Sequence, residues 1–259
     1  TVPPKTEFPV AKRFAEQACK LDAGLAEAHA VLGYISMAFD WNWPEAEAGF
    51  QRTLKLNPGY SVAEARYAYL LMLLGRFEEA LARMKRAQEL EPLSLNISSN
   101  IAYILYFMGR HDQAIDQLRA TLAMDENFAS ANYILGVVFE GQGKYDEAIA
   151  AFQRAVALGK GVPNDIYSLG HVYAVSGRRE EALKVRDRLL RLSESKYVPQ
   201  SLLGFSYIDL GEYDTGFAWL ERAYLERDFY LIYLGIDPRL SIIRTEPRFI
   251  DLLRRLRLG

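Results

Sequence analysis

From Ser61 onward the chain repeats one arrangement of apolar, small and polar positions every 34 residues. Counted from starts at Ser61, Leu95, Ala129, Pro163 and Tyr197, the seventh and eighth places pair a large apolar residue with a small one: Tyr67-Ala68, Ile101-Ala102, Leu135-Gly136, Leu169-Gly170 and Leu203-Gly204. The eleventh place is bulky (Leu71, Leu105, Phe139, Tyr173, Tyr207), and the fifteenth is Gly in all five (Gly75, Gly109, Gly143, Gly177, Gly211). Apolar residues recur at spacings of three and four on both sides of that Gly, the pattern of a helix with one buried face. Gly at the boundary permits the positive φ with which many helices end. The twentieth place is small again (Ala80, Ala114, Ala148, Ala182, Gly216), and the twenty-fourth is large (Met84, Leu118, Phe152, Leu220) except at Arg186. Each period therefore predicts a helix, a tight turn and a second helix. The small residues sit where the two helices cross. A fixed period of this length means stacked helical hairpins, each covering its neighbour's apolar face.

The flanks depart from the period. A preceding repeat starts near Ala26, carries Leu32-Gly33 and Phe50, and closes at Asn57-Pro58 after 35 residues. The extra residue falls in Asp40-Trp41-Asn42-Trp43-Pro44, which predicts an irregular turn there. Trp41 and Trp43 either plug the N-terminal end of the stack or form an exposed anchor. Ala11 to Leu21 reads as the second helix of a repeat whose first helix is missing, and Thr1 to Pro9, with three prolines, as extended chain. With Thr1 in place of an initiator Met, a fragment of a longer protein is expected. The organisation is thus 1–25, an extended N-terminus plus a lone helix; 26–230, six repeats starting near 26, 61, 95, 129, 163 and 197; and 231–259, capping helices. Asp237-Pro238 and Glu246-Pro247 look like helix starts. The stripe Phe249, Leu252, Leu253 and Leu256, flanked by arginines, is expected to cover the last repeat, with a membrane-surface helix as the other reading.

Half of the 259 residues are hydrophobic and a quarter charged, as in globular proteins. The formal net charge of −2 supplies no field to recruit nucleic acid or an anionic membrane. The richest apolar run, Tyr67 to Leu74, is too short to span a bilayer, so no membrane insertion by this region is expected. A single Cys19 excludes an internal disulfide framework and offers no zinc spacing.

The Leu-Gly pairs, the motifs Gly75-Arg76-Phe77-Glu78-Glu79-Ala80 and Gly143-Lys144-Tyr145-Asp146-Glu147-Ala148, and the closing Pro58 and Pro92 resemble the tetratricopeptide repeat family over nearly the whole chain. The closing Asp/Asn-Pro is missing at Glu126, Gly159-Lys160 and Ser193-Glu194. The resemblance implies an all-α, right-handed superhelix, an α-solenoid whose first helices line a concave groove. Projected on that rule, the partner-binding positions are Tyr34, Arg66, Tyr69, Asn100, Tyr103, Tyr106, Tyr133, Glu140, Tyr167 and His171, with Phe205 and Asp209 further along. Tyr supplies contact area at low entropy cost, and Asn offers a donor and an acceptor to a peptide backbone. With Arg66 alone carrying positive charge there, a clamp for a C-terminal carboxylate is not expected. Asp40-Trp41-Asn42-Trp43, Asn57-Pro58-Gly59-Tyr60 and the tail from Trp219 to Phe249 are further similar to C-terminal regions of bacterial multidomain signalling proteins that carry a winged-helix, Ser/Thr kinase or nucleotide cyclase domain.

No catalytic constellation stands out. His29, His111 and His171 lie in separate repeats. Glu78-Glu79 and Glu180-Glu181 open second helices, where negative charge suits the helix dipole. Gly141-Gln142-Gly143 follows no strand and is read as a helix end rather than a phosphate loop. The basic stretch Arg178, Arg179, Lys184, Arg186, Arg188 and Arg191 is interleaved with acids and reads as a solvated face. The expectation is a non-catalytic module of a bacterial regulatory protein. It would need no cofactor or metal, and would bind a protein or peptide partner but no nucleic acid. The alternative is an architectural or self-associating module, a homodimer. The expected location is cytoplasmic, or periplasmic if a membrane segment precedes this region.

Overall fold

The computed structural model describes residues 3–258 and contains only helices and turns among them. Six hairpins follow the predicted period: α2/α3 (Ala26–Ile35, Trp43–Leu56), α4/α5 (Ser61–Leu73, Phe77–Leu90), α6/α7 (Leu95–Phe107, His111–Met124), α8/α9 (Ala129–Gly141, Tyr145–Leu158), α10/α11 (Pro163–Val175, Arg179–Ser193) and α12/α13 (Gln200–Asp209, Tyr213–Leu225). The helix α1 (Pro4–Leu21) precedes them, and a short helix α14 (Pro247–Arg255) ends the chain.

The five period-defining glycines do one job. Gly143 has φ +72°, its N–H donates to Glu140 O at 2.8 Å, and the next N–H, of Lys144, donates to Phe139 O at 2.9 Å. These two bonds satisfy carbonyls that the end of α8 would leave bare, and the left-handed residue between them turns the chain into α9. The acceptor of the longer bond is the bulky eleventh residue of the repeat, so the pattern's strongest local signal and its turn geometry are the same feature. At the crossing, a Cβ on Gly136 would lie 2.7 Å from Phe152 Cδ1, which is why that place is small.

Two compact units emerge. One is Ser94–Leu225, holding α6 to α13. Its core is the row of residues between paired helices, including Ile104, Leu118, Val138, Phe152, Val172 and Leu189, all at most 1% exposed. Burying such side chains contributes about 1.5–3 kcal/mol each before chain entropy is charged against it. Arg186, the polar exception at the twenty-fourth place, lays its guanidinium 5.1 Å from the centre of the Tyr207 ring and pairs with Glu212 at 2.9 Å and Asp187 at 3.0 Å. The α12 helix begins at Gln200, later than the expected Tyr197, because Pro199 disfavours helical backbone at Val198 before it.

The other unit joins the residues up to Leu93 to those from Glu226 onward. Here the structure corrects the expectation of an extended N-terminus. The helix α1 starts with Pro4 in its first turn and runs through Pro9. A first-turn proline loses no helical bond, and the loss at Pro9 is offset by Phe8, which stacks on Phe39 at 5.2 Å and Tyr34 at 6.1 Å. Residues 1 and 2 lie outside the described residues. The extra residue of the first full repeat is absorbed as a π-helical turn, Ser36–Asp40, closed by Trp41 at φ +54°. Trp41 and Trp43 are both buried, so neither is an exposed anchor or dimer contact.

The tail was expected over the last repeat; the contacts that hold it within this unit run to the N-terminal hairpins. Leu256 O accepts a hydrogen bond from Trp43 Nε1 at 2.9 Å, Arg227 lies 4.3 Å from the Trp41 ring centre, and Tyr233 meets Tyr69 edge-on at 6.0 Å. The predicted starts hold. Asp237 caps a 3-10 turn (Pro238–Ile243), accepting from Arg239 N at 3.0 Å, and α14 opens at Pro247. Phe249, Leu252 and Leu256 are buried, which leaves no apolar stripe for a membrane surface.

Candidate functional site

The projected groove positions divide between the two units. In the N-terminal unit they face the chain's own segments. Tyr34 is half-buried under Phe8, and the Arg66 guanidinium lies 4.8 Å from the Tyr34 ring centre. Tyr69 is packed against Tyr233.

In Ser94–Leu225 the first helices α6, α8, α10 and α12 neighbour one another in turn, and places 5, 6, 9, 12 and 13 of each, at helical spacing, fall on one face. Most of its aromatic rings pack on one another. Tyr103 touches Phe107 at 4.9 Å, Tyr106 touches Phe107 at 5.1 Å and stacks on His111 at 5.6 Å, and Tyr167 meets Phe205 at 5.9 Å. Tyr103, Tyr106 and Tyr167 are 8%, 6% and 3% exposed, which leaves them little area for a partner. Asn100 and Tyr133 keep more of their surface.

The polar centre of this face is an ion triad drawn from three repeats. His171 on α10 sets Nε2 3.0 Å from Glu140 Oε1 on α8 and Nδ1 2.9 Å from Asp209 Oδ1 on α12. All three side chains are less than a tenth exposed. Burial alone would push the imidazole's pKa down; Asp209 and Glu140 outweigh it and raise it to about 10. The ring is therefore a cation at neutral pH, held between two carboxylates. The outer oxygens, Glu140 Oε2 and Asp209 Oδ2, are buried without hydrogen-bond partners. His171 Nδ1, though 2.9 Å from Asp209 Oδ1, is not aligned for a hydrogen bond, so the pair is held by charge; with the ring protonated, neither nitrogen accepts a substrate proton, which is not the arrangement of a general base. The sequence projection named all three residues but not their bonding to each other.

Elsewhere, Cys19 Sγ lies 3.9 Å from His29 Nδ1, and the thiol pKa is raised by burial and then by Asp22, the opposite of activation. Among the described residues no group of three or more His, Cys, Asp and Glu side chains is placed to hold a metal ion, and no helix is long and apolar enough to cross a membrane.

The comparisons agree with this architecture. Residues 99–163 match the family model for the tetratricopeptide repeat. A chain of the APC/C hetero-tetramer Cut9–Hcn1 superposes with a TM-score of 0.68 at 18% identity, over 96% of this chain and 46% of that one. The thermophilic tetratricopeptide repeat protein TTC0263 of Thermus thermophilus gives 0.63 at 23% identity, over 71% of this chain and 98% of its own. Pseudomonas aeruginosa pilF gives 0.56 at 18% identity, over 82% and 90%. No curated protein matches the sequence. The fold is an α-solenoid of tetratricopeptide-type hairpins, and the matched segment supports the tetratricopeptide repeat family. This chain spans about half the length of the Cut9–Hcn1 chain it resembles.

Proposed function

We propose that this chain is a non-catalytic protein-interaction module of a bacterial regulatory protein, acting in the cytoplasm by taking a peptide segment or partner helix on the inner face of α6, α8 and α10. The observation that carries this reading is the set of uncharged hydrogen-bonding and aromatic side chains left partly open there, Asn100, Tyr133 and Asn164, above a floor of buried rings and the buried ion triad. Open amides and an open phenol suit an extended backbone, since each offers both donor and acceptor. The likeness to a chain solved within a hetero-tetramer, Cut9–Hcn1, supports a protein partner as the class of ligand. The tetratricopeptide fold itself belongs to interaction scaffolds, which supports a binding role over catalysis.

The test compares capture by the full chain with capture by Asn100→Ala/Tyr133→Ala. Both positions are partly exposed; because the Tyr133 ring also packs on Phe152 at 5.8 Å, the test is repeated with Asn100→Ala/Tyr133→Phe, which keeps that ring contact and removes the hydroxyl. A partner held by the parent and lost by the variant supports the inner face as the site. A partner retained equally by both refutes that assignment.

A further inference from the structure

Two of the three places where the chain abandons the closing Asp/Asn-Pro, Gly159-Lys160 and Ser193-Glu194, come together in space. The turn between α9 and α10 and the turn after α11 wall a cavity of about 320 Å3. Its lining includes four cationic residues, Lys160, Arg188, Arg191 and Lys196, with Ser195 and the apolar Ile166 between them. All four are exposed, and none makes an ion pair among the described residues.

That isolation is selective. On the same basic stretch, Arg178 pairs with Asp146 at 2.5 Å, Arg179 donates to Leu210 O at 2.9 Å, and Arg186 pairs with Asp187 and Glu212. The arginines used for holding repeats together are thereby separated from the two that face the cavity. The turn is shaped to admit one of them. Lys160 and Gly161 both take left-handed backbone (φ +52° and +76°), and a Cβ on Gly161 would lie 3.5 Å from Arg188 Nη2, so the guanidinium rests against the bare turn. The nearby acids do not line the cavity. Glu194 is exposed at the end of α11, and buried Asp165 faces Gly159, whose Cβ would lie 2.8 Å from Oδ2. Like charges gathered in a concavity raise the local potential and repel each other until an anion enters.

The geometry points to a binding site for a phosphate group in this cavity. Two guanidinium forks and two ammonium groups match a compact oxyanion that carries more than one charge. The lining includes no aromatic ring on which a base would stack, which sets single-stranded nucleic acid aside. The cationic groups of the site come from α11 and the turns beside it rather than from the first helices, and the site does not rest on the inner-face reading.

The test titrates the full 15N-labelled chain with inorganic phosphate, with chloride at matched ionic strength as the control. The amides of Lys160, Gly161 and Ser195 are expected to shift saturably with phosphate and not with chloride. Arg188→Ala is expected to weaken binding about tenfold, as loss of one charge-assisted contact does. Lys160→Gln, at another exposed position, is expected to weaken it in the same direction, whereas Arg254→Ala on α14 leaves it unchanged. Equal shifts with chloride, or unaltered phosphate binding by Arg188→Ala and Lys160→Gln, would overturn the site. A phosphoserine peptide then distinguishes the sources. Binding about tenfold tighter than free phosphate assigns a phosphorylated protein segment. Equal or weaker binding assigns a free phosphate compound.

Discussion

Replacing His171 by Leu tests whether the buried triad stabilises the inner face as an ion cluster or merely fills space. Leu supplies comparable apolar bulk, so the lost quantity is the charge. Two carboxylates, Glu140 and Asp209, are then left buried without the cation between them. Removing one partner from a buried ion cluster costs about 3–5 kcal/mol. The pH dependence is the sharper signature. The imidazole's folded pKa, about 10, lies above its ordinary 6.5, so the folded state holds the proton more tightly than the unfolded one. Its stabilisation is complete below pH 6.5 and is lost as the pH rises through about 10. Inside that window the parent should lose about 1.4 kcal/mol per pH unit from this group alone. Urea unfolding followed by far-ultraviolet circular dichroism at half-unit steps across the window measures it. Adding Asp209→Asn and Glu140→Gln to His171→Leu should recover part of the loss, because no unpaired charge is then buried. A His171→Leu penalty below about 1 kcal/mol at pH 7, or one that stays flat across the window, would refute the ion-cluster account.

Two further outcomes follow from single residues. Asp165 is buried and its pKa is raised by that burial from 3.8 to about 6, so it destabilises the fold once ionised; Asp165→Asn should gain about 2–3 kcal/mol at pH 7, with the gain shrinking toward pH 4, in the same urea assay. Trp43→Phe removes the donor to Leu256 O and should cost about 1 kcal/mol, read as faster tryptic cleavage in the segment after Pro247, where α14 depends on that anchor.

The parts of the fold that could be read from the sequence are those decided within a few residues. Gly143 and its equivalents announce a left-handed turn because no other residue takes that backbone as cheaply, and helices begin at Ser61, Leu95, Ala129 and Pro163. Where a local rule competes with the period, the local rule wins, as Pro199 shows. The 35-residue repeat could be seen to carry an insertion, but not that a π-helical turn absorbs it, because α2 continues through Ser36 without a break. Pro9 inside α1 reads as a breaker until Phe8 has a place to pack. The tail's destination depends on Trp43 meeting Leu256, 213 residues away in sequence, and no periodicity reports that contact.

For the site, the period projects first-helix residues onto one face but does not say which of them pack together. Part of that was available. Tyr103, Tyr106 and Phe107 stand three and four apart, a spacing at which helical side chains touch, and they do. The triad was not available, since its members occupy the ninth, twelfth and thirteenth places of three repeats and only burial makes them partners. The outcome divides the chemistry of Ser94–Leu225. On the inner face the open groups are uncharged, and His171 offsets one of the two buried carboxylates. At the turns after α9 and α11 four cations stand uncompensated. These two surfaces should answer to salt in opposite ways. Contacts through Asn100 and Tyr133 are hydrogen bonds and buried area, which ionic strength hardly alters, whereas an anion held by Lys160, Arg188, Arg191 and Lys196 is screened as the Debye length falls from about 10 Å at 0.1 M to about 3 Å at 1 M. Measuring partner affinity and phosphate affinity on the same sample across that range separates them. A partner that dissociates in step with phosphate would place recognition at the basic turns and refute the inner face as its site.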